Sequence, residues 1–468
     1  MALRFVLSLA LLLAAAWDAP AADYTALDRY IERSDPSFKY SLVSSVRVQG
    51  VSVYVLDLTS QSWLTANEVN QPDWRHRLTI IRPESLTTNT ALLLVNGGSN
   101  PPSFSPIPDL SLLLAAIESG AVVVDLAQVP NQPLRFAGEA RDRSEDAIIA
   151  YTWSRFLETG DERWPARLPM TKSVVRAMDA VTSFLASEQG GKLNVNQFIV
   201  TGGSKRGWTT WSTAAVDPRV VAIAPLVIDL LNIPASFVHH FRAYGFWAPA
   251  IRDYEEAGLA SWLGHPRFSD LMAIEDPYEY RDRMSLPKYL INSTGDQFFL
   301  PDSAQFYFHD LPGEKYLRYV PNTDHGLESP ETLLNLLAWF QAVTSNTPRP
   351  RFYWRSNREH GWLYLRTIDK PSKVLLWQAT NPNARDFRVE TIGKAWTSKP
   401  VEGDAGQYSV SIPKPDRGWT AFFFELTYEG RGKYPLVFTT EIIVTPDEYP
   451  FPAPAASPAR RPTARTAR

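Results

Sequence analysis

The chain has 468 residues, a formal net charge of -3 and 21% charged residues, a balance that gives no broad basic surface and so disfavours nucleic-acid binding. It contains no cysteine, which excludes disulfides, thiolate metal sites and a cysteine nucleophile. The length exceeds what one core usually supports, so one large domain with a smaller one is expected.

The first residues have the pattern of an export signal. Arg4 gives a positive start, residues 5–16 are apolar, and Ala19 and Ala21 form a small-residue cleavage site. The apolar run is shorter than the roughly 20 residues that cross a bilayer, which disfavours a membrane anchor. The sequence therefore predicts a signal peptide over residues 1–22 and a secreted or periplasmic protein with no transmembrane segment.

Short apolar runs alternate with helical patterns over residues 23–345, which is typical of an α/β domain with a mostly parallel sheet. Several runs, such as ALLLVNGG and AVVVDLA, are continuously apolar, as in strands that helices cover on both faces. About eight strands are predicted, at residues 53–58, 77–82, 91–96, 121–126, 197–201, 220–228, 288–293 and 315–320. Helices are predicted at residues 110–119, 144–158, 171–188 and 331–344.

Three segments depart from this rhythm. Residues 230–285 form an aromatic-rich insert, which is either a helical lid or a set of ordinary packing helices. Residues 350–446 contain only strand-like runs and predict a small antiparallel β-sandwich. Residues 447–468 are rich in proline, alanine and arginine, which predicts a disordered basic tail. Such a tail can touch an anionic envelope surface, although simple solvation is the favoured interpretation.

The segment NQFIVTGGSKRG places Ser204 directly after a predicted strand and before a helix. This is the position of a nucleophile elbow, whose sharp turn exposes a serine hydroxyl above the sheet. The sequence departs from the common G-x-S-x-G pattern, because Arg206 stands in the place of the last glycine. The competing interpretation is a glycine-rich turn in which Ser204 caps the helix.

Two later strand ends supply an acid and a base. Asp296 follows the strand in KYLINSTGDQFF, and His325 follows the strand in KYLRYVPNTDHGLE. The chain order of serine, aspartate and histidine is that of α/β-hydrolases, so Ser204, Asp296 and His325 form a candidate catalytic triad. Asp302 and Asp324 are rival acids, and Asp324 is equally explained as a residue that shapes the turn.

An oxyanion hole in this fold uses the backbone N–H after the nucleophile and one from the loop after the third strand. Lys205 supplies the first N–H, and Gly98 or Ser99 in the loop NGGSN is the candidate for the second. The side chains of Lys205 and Arg206 either bind an anionic substrate group or form salt bridges on the helix.

No metal or cofactor is expected. His239 and His240 with Glu255 and Glu256 match no common zinc spacing.

Four strings, GGSKRGWTTWSTAAVDPRV, PKYLINSTGDQFFLPDS, LPMTKSVVRAMDAV and VPNTDHGLE, together resemble the PhoPQ-activated pathogenicity-related protein family, over about residues 24–444. The resemblance implies an exported bacterial protein of α/β-hydrolase type that is controlled by a two-component regulator. It also implies a link to virulence and to resistance against cationic antimicrobial peptides. Eukaryotic relatives resemble secreted autocrine proliferation repressors. The elbow of the family is similarly of the form G-x-S-K-R-G.

Two functions remain open from the sequence. The favoured one is a secreted serine hydrolase that cleaves an ester or peptide bond of a small-molecule or peptide substrate. The alternative is a catalytically inactive binding or signalling protein that keeps the hydrolase scaffold, since a fold never guarantees an activity.

Overall fold

The N-terminal part of the described chain leads into the sheet as an antiparallel meander. The computed structural model describes residues 24–48, 50–105, 108–430 and 432–454, so the predicted signal peptide lies outside the described residues. The first elements are α1 (Ala26–Glu32), β1 (Lys39–Val48), β2 (Val51–Ser62) and β3 (Asp73–Pro83), and the strands pair in chain order. The sequence does not predict β1, because this edge strand buries none of its side chains.

Six parallel strands form the centre of the sheet. They are β4 (Thr90–Val95), β5 (Val123–Leu126), β6 (Gln197–Gly203), β7 (Val220–Leu226), β8 (Lys288–Ser293) and β9 (Lys315–Val320). Their order is β5-β4-β6-β7-β8-β9, and β3 pairs antiparallel with β5. The predicted α/β class is confirmed as a mixed sheet whose central strands are mostly parallel. Because these strands are parallel, their carboxyl ends meet at one edge of the sheet.

Helices cover this sheet on both faces, which explains why its strands are almost continuously apolar. The helices in this part of the chain are α2 (Leu110–Ser119), α3 (Asp146–Thr159), α4 (Arg167–Ala186), α5 (Lys205–Val216), α6 (Ile233–Tyr244), α7 (Arg252–Glu256), α8 (Pro266–Glu275) and α9 (Pro330–Thr344). In α4 the predicted apolar stripe, which includes Val174, Met178 and Val181, is buried. The helices α6, α7 and α8 lie between β7 and β8, within the segment that the sequence marks as aromatic-rich.

The C-terminal strands form two layers. They are β10 (Phe352–Asn357), β11 (Trp362–Thr367), β12 (Lys373–Asn381), β13 (Thr397–Pro400), β14 (Gln407–Ser411), β15 (Trp419–Tyr428), β16 (Leu436–Thr439) and β17 (Ile443–Thr445), with a short α10 (Val389–Ile392). One layer is a separate sheet of β10, β11 and β14. The other continues the central sheet, because β16 pairs with β9 at Thr439 and Leu317. The prediction treats residues 350–446 as a separate β-sandwich, whereas in the structure one of the two layers shares a sheet with the α/β part of the chain.

The first residues of the predicted tail are held against the body of the protein. Tyr449 donates or accepts a hydrogen bond of 2.8 Å with His239 in α6, and the Phe451 N–H donates to the carbonyl of Arg242. The sequence predicts disorder from residue 447. The structure differs, because Tyr449 forms a hydrogen bond with His239, which is distant in the sequence. Residues 455–468 lie outside the described residues. Within the ranges that the structure describes, no helix has the length and hydropathy to cross a bilayer.

Candidate active site

Ser204 lies in a strained turn between β6 and α5. Its backbone has φ 56° and ψ -127°, a conformation that side-chain-bearing residues rarely adopt. The Ser204 N–H donates a 2.9 Å hydrogen bond to the carbonyl of Leu226 in the neighbouring strand, which fixes the turn to the sheet. Ser204 occupies the N-cap position of α5, but its side chain makes no capping hydrogen bond to the helix. The backbone has the geometry of a nucleophile elbow.

Close packing of the elbow explains where its glycines are needed. A β-carbon on Gly202 would stand 2.9 Å from the backbone carbonyl carbon of Arg206. A β-carbon on Gly207 would stand 2.8 Å from the carbonyl oxygen of Gly202. The position of Arg206 itself tolerates a side chain. The departure from G-x-S-x-G therefore keeps the tight strand-to-helix contact and moves its second glycine by one residue.

Asp296 and His325 come together at the carboxyl ends of β8 and β9. Nδ1 of His325 lies 2.8 Å from a carboxylate oxygen of Asp296. The other oxygen of Asp296 accepts hydrogen bonds from the backbone N–H groups of Phe298, at 2.7 Å, and Phe299, at 3.3 Å. The backbone N–H of His325 donates to Gln297 at 3.0 Å. Both side chains are thus oriented by neighbours before any substrate is present.

The two rival acids have other partners. Asp302 is buried and accepts hydrogen bonds from His239, at 2.9 Å, and from Arg385, at 2.6 Å. Asp324 accepts a hydrogen bond of 2.9 Å from the backbone N–H of Gly326, which is the turn-shaping role that its position suggests. Among the described acids, Asp296 is the one that binds the ring of His325.

Ser204 and His325 are not hydrogen-bonded to each other. Within the described part of the chain, the Ser204 hydroxyl has no hydrogen-bond partner. Phe298 connects the surroundings of the two residues. Its ring packs on the imidazole of His325, with ring centroids 4.3 Å apart, and it lines the same pocket as Ser204. The structure therefore brings together the acid and the base, and leaves the serine unpaired in a pocket that shares Phe298 with His325.

The candidate oxyanion residues are divided between two environments. Lys205 begins α5 and lines the pocket with Ser204, and the first N–H groups of a helix have no acceptor inside it. Gly98 and Ser99 follow β4, the strand beside β6, but both are exposed and neither lines the pocket. Next to them, Gly97 packs against the guanidinium of Arg206. The loop is thus tied to the elbow through Arg206.

The pocket beside Ser204 is walled by four parts of the chain. The cavity is small, with a volume of about 40 Å³. Helices α3 and α5 contribute Trp153 and Trp208, the segment between β7 and β8 contributes Phe237 and Tyr254, and the loop after β8 contributes Phe298. Most of this wall is apolar and aromatic, which is typical of a site that takes a small organic group.

Comparison with known proteins places the chain in a family. The sequence pattern of the PhoPQ-activated pathogenicity-related proteins matches residues 27–388. The chain belongs to this family. The resemblance found in the sequence is thereby confirmed. This PhoPQ-related protein is also 38% identical to autocrine proliferation repressor protein A of Dictyostelium discoideum, over 91% of the chain and 92% of that relative.

Solved structures with a similar fold are esterases and related hydrolases. Acetyl xylan esterase 1 from Thermoanaerobacterium sp. JW/SL YS485 is 16% identical, with a TM-score of 0.47, and the match covers 68% of this chain and 92% of that one. An S-formylglutathione hydrolase from Agrobacterium tumefaciens is 14% identical, with a TM-score of 0.41, over 65% and 99% of the two chains. At these values the likeness assigns no substrate and no activity to the PhoPQ-related protein.

Sequence reasoning missed a charged cluster under the elbow. Glu145 precedes α3 in the same strained conformation as Ser204, with φ 51° and ψ -127°. Its carboxylate lies 2.9 Å from Nζ of Lys205 and accepts a hydrogen bond of 2.6 Å from Arg206. Although burial raises the pKa of Glu145, the two cations lower it to about 2. The salt-bridge interpretation of Lys205 and Arg206 thus has a partner that only the fold supplies.

A second missed residue is Asp229, which follows β7 and is buried. Its two carboxylate oxygens accept hydrogen bonds from Tyr307, at 2.5 Å, and Tyr319, at 2.7 Å. Burial raises the pKa of Asp229 to about 7 even though both hydroxyls favour the charged form. No sequence signal distinguishes this aspartate, because its partners come from a distant loop and a distant strand.

No cluster in the described residues has the make-up of a metal site, which needs three or more His, Asp or Glu side chains around one point. His239 binds Tyr449 and Asp302, and His240 accepts a hydrogen bond of 3.1 Å from the backbone N–H of Ala248. Both imidazoles are therefore used in packing the segment between β7 and β8.

Proposed function

We propose that the protein is a serine hydrolase that cleaves an ester or peptide bond, with Ser204 as nucleophile, His325 as general base and Asp296 as the acid that orients it. The observation that carries the proposal is the 2.8 Å hydrogen bond between His325 and Asp296 at the same sheet edge as the strained turn of Ser204. Membership of the PhoPQ-related family and the hydrolase-like architecture agree with it.

The tautomer of His325 follows from its partner. An ionised carboxylate only accepts hydrogen bonds, so Nδ1 carries the proton that is shared with Asp296 and Nε2 is free to accept one. In the proposed reaction, Nε2 takes the Ser204 proton as Oγ bonds to the substrate carbonyl carbon. The proton then passes to the leaving group as its bond to that carbon breaks. Water then attacks the acyl group on Ser204 while Nε2 of His325 takes its proton. The proton returns to Oγ of Ser204 as the bond from Oγ to the carbonyl carbon breaks and the carboxylic acid leaves.

The catalytic contact between Ser204 and His325 has to form when substrate binds. Catalytic hydrogen bonds are often long in ligand-free enzymes and shorten in the complex with substrate. The His325 side chain is 20% exposed, and its ring packs against Phe298 and Phe299. Negative charge on the carbonyl oxygen would be stabilised by the Lys205 N–H and by an N–H of Gly98 or Ser99.

The segment over residues 230–285 acts in this proposal as a lid. It contributes Ser236, Phe237, His240, Ile251 and Tyr254 to the wall of the pocket that Ser204 lines. Export through the signal peptide over residues 1–22 is a further part of the proposal. Mass spectrometry of the mature protein tests it, since cleavage gives a chain that begins near residue 23.

A fluorophosphonate probe tests the central claim, because it bonds only to activated serines. We expect labelling of the wild-type protein at Ser204, located by peptide mass spectrometry, and none in Ser204→Ala. Ser236→Ala is the matched control, because Ser236 lines the same pocket but donates its hydroxyl to a backbone carbonyl. That variant should label like the wild type. A folded wild-type protein that the probe leaves unlabelled would contradict the proposal.

A second candidate function is a binding or signalling protein that keeps an inactive site. The observation that favours it is the missing hydrogen bond between Ser204 and His325 among the described residues. Complementation of a deletion strain separates the two functions. If Ser204→Ala restores the full phenotype of the wild-type gene, binding alone explains the biology. If it does not while the protein folds normally, the hydrolase is supported.

A further inference from the structure

The charged corner of the pocket beside Ser204 is paired before any ligand arrives. Nζ of Lys205 lies 2.9 Å from Glu145 and 3.1 Å from Asp146. The other carboxylate oxygen of Asp146 accepts a hydrogen bond of 2.9 Å from the hydroxyl of Tyr254. A charged ligand in the pocket would have to compete with these contacts at close range. The corner therefore does not present a free charge to a substrate.

The remaining polar side chains of the wall are also bound within the protein. The hydroxyls of Ser236 and Ser303 each donate to a backbone carbonyl, at 3.3 Å and 2.7 Å. Nε2 of His240 accepts the N–H of Ala248, and burial lowers the pKa of this imidazole to about 3, so the ring is neutral. Apart from the Ser204 hydroxyl and the buried indole N–H of Trp153, the polar side chains in this described wall have hydrogen-bond or ion-pair partners within the protein.

The rest of the wall is apolar. Nε1 of Trp208 donates a hydrogen bond of 2.5 Å to the backbone carbonyl of Glu275, and Nε1 of Trp153 is buried with no hydrogen-bond partner among the described residues. Phe237 and Phe298 add two more rings on other sides. A sugar or a charged group here would lose its hydrogen bonds to water and find no replacement. An apolar group would lose nothing and would release water from the aromatic surface.

We propose that this pocket binds a neutral, apolar group, which is the acyl side of the ester or amide that Ser204 attacks. The inference rests on the proposed function for the bond that is cleaved, but the binding preference itself does not require catalysis. The substrates are therefore esters or amides of apolar carboxylic acids. Sugars and charged side chains do not fill the pocket.

A thiol at the elbow measures this preference without any hydrolysis. Because the chain has no cysteine, Ser204→Cys carries a single thiol at the pocket. Its second-order rates with methyl, butyl and benzyl methanethiosulfonate, and with the trimethylammonium-ethyl reagent, are divided by the rates of N-acetylcysteine. Each methylene that enters an apolar site is worth about 0.8 kcal/mol, or roughly a fourfold rate. We expect the butyl and benzyl reagents to exceed the methyl reagent by about tenfold or more, with the cationic reagent slowest.

Two further variants test whether the pocket causes the selectivity. Ser398→Cys carries its thiol on the exposed strand β13 and should show no preference among the reagents. Adding Phe237→Ala to Ser204→Cys removes one aromatic wall and should lower the butyl rate several-fold while the methyl rate is kept, which also shows that the protein is folded. Equal rates for all reagents at Ser204→Cys, or a faster cationic reagent, would overturn the inference.

Hydrolysis by the wild-type protein separates this inference from the proposed function. With p-nitrophenyl acetate, butyrate and hexanoate, kcat/KM should rise about fourfold per methylene, and a succinate monoester should be poor. If no ester is cleaved but the thiol rates are selective, the pocket preference stands and the hydrolase proposal fails. If acetate or the succinate monoester is cleaved best, the hydrolase proposal stands and the apolar substrate class fails.

Discussion

Gly97 packs directly against the guanidinium of Arg206, so that a β-carbon on Gly97 would stand 2.6 Å from Nη2 of Arg206. That guanidinium cannot move freely, because Nε donates to the carbonyl of Val129 at 2.6 Å and Nη2 donates to Glu145 at 2.6 Å. Arg206 therefore connects the elbow, the loop after β4 and the start of α3. The residue that breaks the common elbow pattern is the one that packs against the candidate oxyanion loop.

We predict that Gly97→Ala lowers kcat/KM about tenfold or more, because small displacements of groups that stabilise the transition state are costly. Ester hydrolysis measures the effect. The same substitution in an Arg206→Ala background should have little further effect, since the contact is then gone. Equal losses in the two backgrounds would show that Gly97 acts independently of Arg206.

The two glycines before the nucleophile should respond differently to alanine. In Gly202→Ala the new methyl would stand 2.9 Å from backbone atoms of Arg206, which cannot move without shifting α5. We expect a loss of about 2 kcal/mol in the free energy of unfolding. Gly203→Ala is the matched control, because its nearest neighbour is a methyl of Val227 at 3.9 Å. It should stay within about 0.5 kcal/mol of the wild type in urea unfolding.

The strained turn of Ser204 should lower the free energy of unfolding relative to a protein with glycine at this position. Glycine adopts positive φ at little cost, whereas a non-glycine residue there pays about 1–3 kcal/mol. We predict that the free energy of unfolding of Ser204→Gly is about 1 kcal/mol higher than that of Ser204→Ala. This difference already includes the entropy that glycine adds to the unfolded chain. Both variants lack the hydroxyl, so urea unfolding of the pair isolates the backbone strain. If Ser204→Gly were less stable than Ser204→Ala, the backbone at this position would not be strained.

Asp296 and Asp302 should have separable effects. Asp296→Asn should lower kcat by roughly 10³ to 10⁴ with little change in stability, because it no longer fixes the tautomer of His325. Asp302→Asn should instead destabilise the fold by about 3–5 kcal/mol, because it leaves Arg385 buried without a carboxylate. Thermal melts and steady-state kinetics on both variants decide this. A large kinetic defect in a stable Asp302→Asn protein would exchange the two roles.

The buried carboxyl of Asp229 should impose a pH dependence on stability. Burial raises its pKa from 3.8 to about 7, so the folded protein binds this proton more tightly than the unfolded chain does. The stabilisation is complete below about pH 4 and is lost as the pH rises to about 7. Between these limits the wild-type free energy of unfolding should fall relative to Asp229→Asn, by up to about 1.4 kcal/mol per pH unit.

Urea unfolding at several pH values between about 4 and 8 tests this slope. Asp276 is a second buried carboxyl whose pKa burial raises to about 7, but it is present in both proteins and cancels in the comparison. Parallel stability curves for the wild type and Asp229→Asn would show that Asp229 does not bind its proton in the folded state.

The sequence by itself determined the family, the α/β class and the strand ends that carry Ser204, Asp296 and His325. These features are local, since a continuous apolar run predicts a buried strand and the residues just after it must lie at the sheet edge. The hydrogen bond between Asp296 and His325 agrees with that reasoning. The resemblance to PhoPQ-related proteins, carried by strings such as GGSKRGWTTWSTAAVDPRV, was confirmed by the family match over residues 27–388.

Only the tertiary structure decided which charges meet and where the sheet ends. Glu145 and Arg206 are 61 positions apart, and β16 joins β9 through residues 122 positions apart, so no periodicity or motif connects them. Tyr449 belongs to a proline-rich segment by composition, yet it packs on α6 because His239 offers a hydrogen bond there. Such partners are chosen by burial, where each polar group must find another, and one-dimensional patterns do not carry that information.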